Sequence, residues 1–178
     1  MFFFTNLIIM SELKILTIPD SRLKEKASQV KNFDQNLRSD IKDMYDTLYA
    51  SENGIGLAAT QVGIMKRLIV IDLKEDDASN PRTLVNPKII ETSKVTSLNQ
   101  EGCLSIPGYY ADIERFESVK YEWFTEFGEK KQGEAEGLLS ICIQHEIDHL
   151  NGILFIDYLS SLKRKMASQK VKKHLKSK

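Results

Sequence analysis

The stretch LLSICIQHEIDHLN, residues 138–151, reads as one helix and contains the pentapeptide His145-Glu146-Ile147-Asp148-His149. Side chains four apart on a helix lie one turn above each other, so the two imidazoles can grip a single metal ion. Glu146, between them, is placed as a general base. The flanks are apolar: Leu138, Leu139, Ile141, Cys142 and Ile143 precede the motif, and Leu150, Ile153, Leu154, Phe155 and Ile156 follow it. A helix in such surroundings belongs in the interior. Two histidines and a glutamate buried there need partners, because each unpaired buried polar group costs about 1 to 3 kcal/mol. A metal satisfies all three. Gly152 then stops the helix.

A catalytic site of this kind takes three protein ligands and keeps one position for water. Metzincins extend the motif to H-E-x-x-H-x-x-G-x-x-H. Here Gly152 is in place, but the last position is Phe155, which cannot ligate. Cys142 lies inside the apolar helical run and reads as a small core thiol. Cys103 stands in Glu101-Gly102-Cys103-Leu104-Ser105, before Pro107-Gly108, where an irregular backbone can aim a side chain. By itself Cys103 reads equally as a ligand or as an inert buried thiol. A third stretch, GIGLAATQ (54–61), keeps its backbone bare enough for a substrate to come close. It lacks the third glycine of a dinucleotide fingerprint and the Gly-Lys-Ser/Thr of a P-loop, so nucleotide binding gains little support.

In this order, GIGLAATQ, EGCLS and HEIDH resemble the three signature motifs of bacterial peptide deformylases, the metal hydrolases that remove the formyl group from nascent N-formylmethionyl chains. LTIPDSRL (16–23), RLIVID (67–72), VNP (85–87) and GLLSICIQHEIDHLNGILFIDYLS (137–160) are similar to the family as well, so the resemblance spans about residues 10–165. It implies an α+β fold, with antiparallel or mixed β-sheets packed around a central metal-binding helix and a further helix at the C-terminus. It also implies that Cys103, His145 and His149 hold the metal, and that Gln61 and the Leu104 backbone N–H form the oxyanion hole. In the implied reaction a metal-bound hydroxide attacks the formyl carbon. Glu146 takes the water proton and delivers it to the departing amine. Each oxyanion donor is worth about 3 kcal/mol. The products are formate and a free N-terminal methionine.

A thiolate beside two imidazoles admits iron, zinc, cobalt or nickel. The resemblance implies one Fe2+ per chain, with oxygen sensitivity, and Zn2+, Ni2+ or Co2+ as substitutes. It further implies that Gly54, Ile55 and Gly56 line one side of the cleft and pair with the peptide backbone. Glu101, Gly102, Ile141 and Cys142 would shape a pocket for the methionine side chain, an unbranched thioether suited to apolar, adaptable walls. Asn99 is a further candidate there. Asp148 is expected to form a buried pair with Arg115. Many family members carry an arginine shortly after EGCLSIP that contacts the substrate backbone; this chain has Gly108-Tyr109-Tyr110 instead.

The rest of the chain fits one domain. At 178 residues and 42% hydrophobic content it can build one core, and no repeat or low-complexity linker divides it. Leu37, Ile41, Met44, Tyr45 and Leu48 recur at helical spacing between Asp34 and Ala50. Arg67 to Leu73, Thr83 to Val85, Lys88 to Thr92 and Ser118 to Phe124 read as strands, with a hairpin turn at Phe127-Gly128-Glu129. Two distant cysteines read as thiols in a reducing cytoplasm, and a monomer is expected. The apolar start MFFFTNLIIM carries no Lys or Arg and is too short to span a bilayer, so neither a membrane span nor a signal peptide is expected. Residues 1–9 are read as an upstream start or a disordered extension, residues 10–160 as the catalytic domain, and residues 161–178 as a basic helical tail.

The formal net charge of zero hides a dipole: residues 160–178 hold 8 Lys/Arg and no Asp/Glu, which leaves residues 1–159 at a net of −8. One reading of the tail is a solvated helix, with Leu162, Met166, Val171 and Leu175 giving some apolar contact. The other is a phosphate-binding tail that holds the enzyme to ribosomal RNA near emerging N-formylmethionyl chains. Rival functions are another amide hydrolase, such as a peptidase, and a non-enzymatic metal or RNA binder. The set Gln61, Glu101 and Glu146 speaks against both, because a structural site closes its fourth position with protein.

Overall fold

In the computed structural model, which describes residues 11–51, 53–74 and 79–177, the amphipathic spacing of Leu37, Ile41, Met44 and Leu48 becomes the buried face of helix α1 (Gln35–Ala50). The Asp34 carboxylate starts this helix by accepting a hydrogen bond from the Leu37 N–H at 3.0 Å. Tyr45 points its hydroxyl at Thr83, 3.1 Å away. The expectation for residues 1–9 lies outside the described residues.

Seven strands follow: β1 (Gly56–Ala58), β2 (Leu68–Ile71), β3 (Arg82–Thr92), β4 (Thr96–Glu101), β5 (Ala111–Phe116), β6 (Ser118–Phe124) and β7 (Lys130–Glu136). They make a five-stranded sheet in the order β1-β2-β3-β6-β7 and a two-stranded sheet β4-β5, with every pairing antiparallel. The expected α+β architecture is present, with helix α2 (Gly137–Leu150) at its centre and helix α3 (Ser161–Lys176) at its end.

Strand β2 shows how the layers form. Its four residues are all buried, but alternate side chains serve different layers. Leu68 and Val70 pack with Leu37, Met44 and Leu48 of α1 on one face. Ile69 and Ile71 pack with Cys142, Ile143, Ile147 and Leu150 of α2 on the other. A third cluster backs α2 from its C-terminal side, where Leu154, Phe155 and Ile156 meet Leu16, Ile18, Ile106, Ile113 and two residues of α3, Ala167 and Val171. Among the described residues no helix is long and apolar enough to cross a membrane.

Several boundaries differ from the sequence expectation. The stretches 83–85 and 88–92 are one strand, β3, whose register shifts between Val85 and Lys88. Pro87 has no N–H to give to the ladder, and Asn86 adopts a φ of +52° beside it, so the strand continues through a bulge. The stretch 67–73 narrows to the four residues of β2. Strands β4, β5 and β7 carry too little apolar alternation to announce themselves; β7, at a sheet edge, buries only Ala135. The hairpin turn lies where expected, with Gly128 at φ +84° and its N–H donating to the Thr125 carbonyl at 3.0 Å.

Helix α2 runs one residue ahead of the expected span at each end and is stopped by Gly152 at φ +73°. A β-carbon on Gly152 would collide with the Lys24 carbonyl oxygen, so only glycine lets the chain leave α2 past that backbone. The tail is not a loose appendage. Ala167 and Val171 are fully buried, whereas Leu162, Met166 and Leu175 stay 69%, 53% and 48% exposed.

Candidate active site

His145 and His149 share one face of α2, their ring centroids 4.9 Å apart. Cys103 reaches them from the loop between β4 and β5, which a tight turn shapes: the Ile106 N–H donates to the Cys103 carbonyl at 2.9 Å. The Cys103 Sγ lies 3.2 Å from His149 Nε2, and the three ligand atoms all fall within 4.8 Å of one another. Donors bound to one tetrahedral metal sit roughly 3.5 Å apart, given metal–sulfur and metal–nitrogen bonds of about 2.3 and 2.0 Å. The donor set and its spacing therefore fit a metal ion, with a fourth position left to the cleft.

Glu146 faces the same place. Its Oε2 is buried and has no protein partner among the described residues, as has His149 Nδ1. Burial pushes the Glu146 carboxyl up to about 7, against the pull of the nearby His145. Gly56 keeps room for this carboxyl: a β-carbon there would lie 2.7 Å from Glu146 Oε1 and 2.8 Å from Cys142 Sγ. Burial also pushes the Cys142 thiol well above its ordinary range, so it presents a neutral wall.

Gln61 sits in the single helical turn Ala59–Val62 after β1. Its Oε1 accepts from the Ala58 N–H at 2.9 Å, which turns the amide nitrogen toward the metal ligands. That Nε2 is 3.4 Å from Cys103 Sγ and 3.2 Å from Ser105 Oγ. The Thr60 hydroxyl donates to the His149 carbonyl at 3.2 Å, tying this turn to the metal helix.

Behind the ligands runs a chain of buried charges. His145 Nδ1–H donates to Glu101 Oε2 at 2.8 Å, which fixes the ring so that Nε2 faces the ligand position. Arg115, from β5, grips Glu101 with two bonds of 2.6 and 3.1 Å and reaches Asp148 Oδ2 at 2.6 Å. The Tyr158 hydroxyl donates to the same Asp148 oxygen at 2.9 Å, and the Arg115 guanidinium lies over its ring. Burial works against charge at Glu101, but its bonds to His145 and Arg115 hold its pKa below the usual range. Burial likewise opposes charge at His145, where hydrogen bonds to Cys103 and Glu101 outweigh it and push the imidazole up. It pulls His149 well below its ordinary value.

The cleft in front of the ligands has a volume of about 750 Å³. It brings together Gly54, Ile55, Gly56, Gln61, Glu101, Gly102, Cys103, Leu104, Ile141, Cys142, His145 and Glu146, while His149 lies deeper at 1% exposed. Of the residues expected to wall the methionine pocket, Glu101 carries a second task, since its carboxylate is committed to Arg115 and His145. The expected Arg115–Asp148 pair is present. Asn99 bonds back to the Ser97 carbonyl and hydroxyl, both at 3.0 Å, and is not part of the cleft wall. Sequence reasoning missed Ser105, Tyr158, Tyr109, Tyr110, His174 and Leu175, which contact the site only through the fold.

A thiol and two helical imidazoles around one point, with a carboxyl near neutrality and an amide aimed at the same spot, define a metallohydrolase centre. The sequence profile of the family described as polypeptide deformylase matches residues 12–165. Peptide deformylase 2 of Vibrio cholerae is 50% identical over 168 residues, 94% of this chain and 98% of that protein. The peptide deformylase of Alkalilimnicola ehrlichii is 48% identical over 164 residues, 92% of this chain and 91% of its own. The crystal structure of a peptide deformylase from Legionella pneumophila superposes with a TM-score of 0.88 at 44% identity, over 93% of this chain and 96% of that one. That of Ehrlichia chaffeensis in complex with actinonin also gives 0.88, at 41% identity, over 93% and 98%. The chain belongs to the polypeptide deformylase family.

Arg115 is 5% exposed and partnered on both sides, so Arg115→Leu strands the Glu101 carboxylate in the interior and leaves the half-buried Asp148 with Tyr158 alone. Urea unfolding of that variant is expected to show a loss of about 3 to 5 kcal/mol. A loss under about 1 kcal/mol would mean that water, not Arg115, satisfies Glu101 and Asp148.

Proposed function

We propose that this protein is a peptide deformylase that hydrolyses the N-formyl group of N-formylmethionyl nascent polypeptides and releases formate. The observation that carries the proposal is the convergence of Cys103, His145, His149, Glu146 and Gln61 at the inner end of one cleft. The named relatives, all peptide deformylases, support it.

Cys103, His145 and His149 hold the metal, and when bound it supplies a Lewis acid that brings the pKa of a water down to about 7. The protein does the rest. Glu146, near neutrality itself, accepts the proton of the attacking water and returns it to the departing amine. The Gln61 amide and the Leu104 N–H donate to the oxygen that becomes negative in the tetrahedral intermediate, each contributing about 3 kcal/mol. Glu101 keeps His145 in the tautomer that ligates. Gly54, Ile55 and Gly56 receive the peptide backbone, and Gly102, Ile141 and Cys142 wall the methionine side chain. The donor set admits iron, zinc, cobalt or nickel; membership of the deformylase family favours Fe2+ as the native ion, with Zn2+, Ni2+ and Co2+ able to replace it. We further propose a cytoplasmic monomer in which residues 10–160 are the catalytic domain.

Anaerobically purified protein with one metal per chain is expected to release formate from formyl-Met-Ala, and Glu146→Ala is expected to lower kcat at least about 100-fold with its metal retained. Absence of release from fully metallated wild type would refute deformylation. Release unaffected by Glu146→Ala would remove that residue from the proton path.

The basic tail is proposed to contact ribosomal RNA through the exposed Lys163, Lys165, Lys170 and Lys172. Because Ala167 and Val171 belong to the core, charge reversal tests this better than deletion. Glutamate at those four positions is expected to abolish co-sedimentation with ribosomes at low salt while formate release from formyl-Met-Ala continues; undiminished co-sedimentation would exclude the tail.

A further inference from the structure

The last turn of α3 lies at the mouth of the catalytic cleft. Val171 is fully buried, and residues three and four further along a helix share its face, which brings His174 and Leu175 round to the same side. Both line the cleft that holds Cys103, His145 and Glu146. The His174 ring rests on Gly108, where a β-carbon would be 3.4 Å from its Nδ1. Gly108 adopts a φ of +75°, so the loop after the metal cysteine is bent to receive the helix.

Beside this turn stand Tyr109 and Tyr110, which follow Gly108 in the chain and line the same cleft. The Tyr110 ring covers Gly102, with its Cε1 2.5 Å from where a β-carbon would sit. Tyr109 stacks on Phe155 at 6.4 Å, and Phe155 on His145 at 6.1 Å, which puts Tyr109 no more than 12.5 Å from the metal-ligating ring. Ile15, Thr17 and Glu12 line the same cleft. An extended peptide advances about 3.3 Å per residue, so a chain with its formyl group at the metal brings its third and fourth residues to this mouth.

We propose that His174 and Leu175, with Tyr109 and Tyr110, form an outer subsite for the third and fourth residues of the substrate. The subsite takes apolar and aromatic side chains, and Glu12 at its rim disfavours acidic ones. Leu175, at 48% exposed, is half covered in the free protein and gains its remaining cover from the peptide. The inference rests on the deformylase proposal and extends it: the C-terminal helix is a wall of the cleft as well as a basic surface.

Formate release from formyl-Met-Ala and from formyl-Met-Ala-Leu-Tyr separates the two. In wild type the tetrapeptide is expected to exceed the dipeptide in kcat/KM by about tenfold, as one well-covered apolar side chain provides. In the double variant His174→Ala/Leu175→Ala that advantage is expected to shrink at least about fivefold, through KM. The control Leu162→Ala/Met166→Ala, on the exposed side of the same helix, keeps the advantage. An advantage undiminished by the 174/175 variant, or lost equally in the control, overturns the subsite. No formate from either peptide with wild type refutes deformylation itself, and the subsite falls with it.

Discussion

The site depends on one buried arginine. Arg115 enters from β5, holds Glu101 at the end of β4 and Asp148 on α2, and thereby locks a two-stranded sheet to the metal helix. Charges as deep as Arg115 and Glu101 do little for net stability, because their desolvation offsets their attraction. They fix position instead. Glu101 can orient His145 only because Arg115 holds it, and Cys103 lies two residues beyond Glu101, on the loop that follows β4. One ion pair therefore sets the angle of an imidazole and the reach of the Cys103 thiol.

The layers around α2 explain why a polar helix tolerates burial. Its apolar side rests on Ile69, Ile71, Leu84 and Val119 of the large sheet, and Leu154 to Ile156 return beneath its end. Among the described residues its buried polar side-chain atoms have partners, the exceptions being Glu146 Oε2 and His149 Nδ1. An unpaired buried carboxylate oxygen is costly for folding. At Glu146 the same burial raises the pKa to about 7, where a group can both take and give a proton.

The site was easier to read from the sequence than the sheets. HEIDH and EGCLS carry their chemistry in local spacing, and the resemblance placed Gln61 beside them; the fold brings all three together. The Arg115–Asp148 pair was anticipated, but not the bidentate hold on Glu101, because that contact joins strands whose polar sequences, TSLNQE and ADIERF, show little alternation. In the sequence β3 reads as two pieces because Pro87 interrupts its pattern, whereas the fold absorbs the proline in a bulge. In the sequence Val171 reads as one of four tail residues giving some apolar contact. Its full burial reflects an inner face that becomes apolar only when Ile106 and Phe155 are packed against it.

The most direct test of the account is the metal's coordination shell, read by X-ray absorption on anaerobically purified protein. One sulfur at about 2.3 Å and two imidazole nitrogens near 2.0 to 2.1 Å are predicted, with the sulfur lost in Cys103→Ala and retained in Cys142→Ala. A shell without sulfur, or one whose sulfur disappears with Cys142 rather than Cys103, would contradict the central claim that the β4–β5 loop completes the metal site of α2.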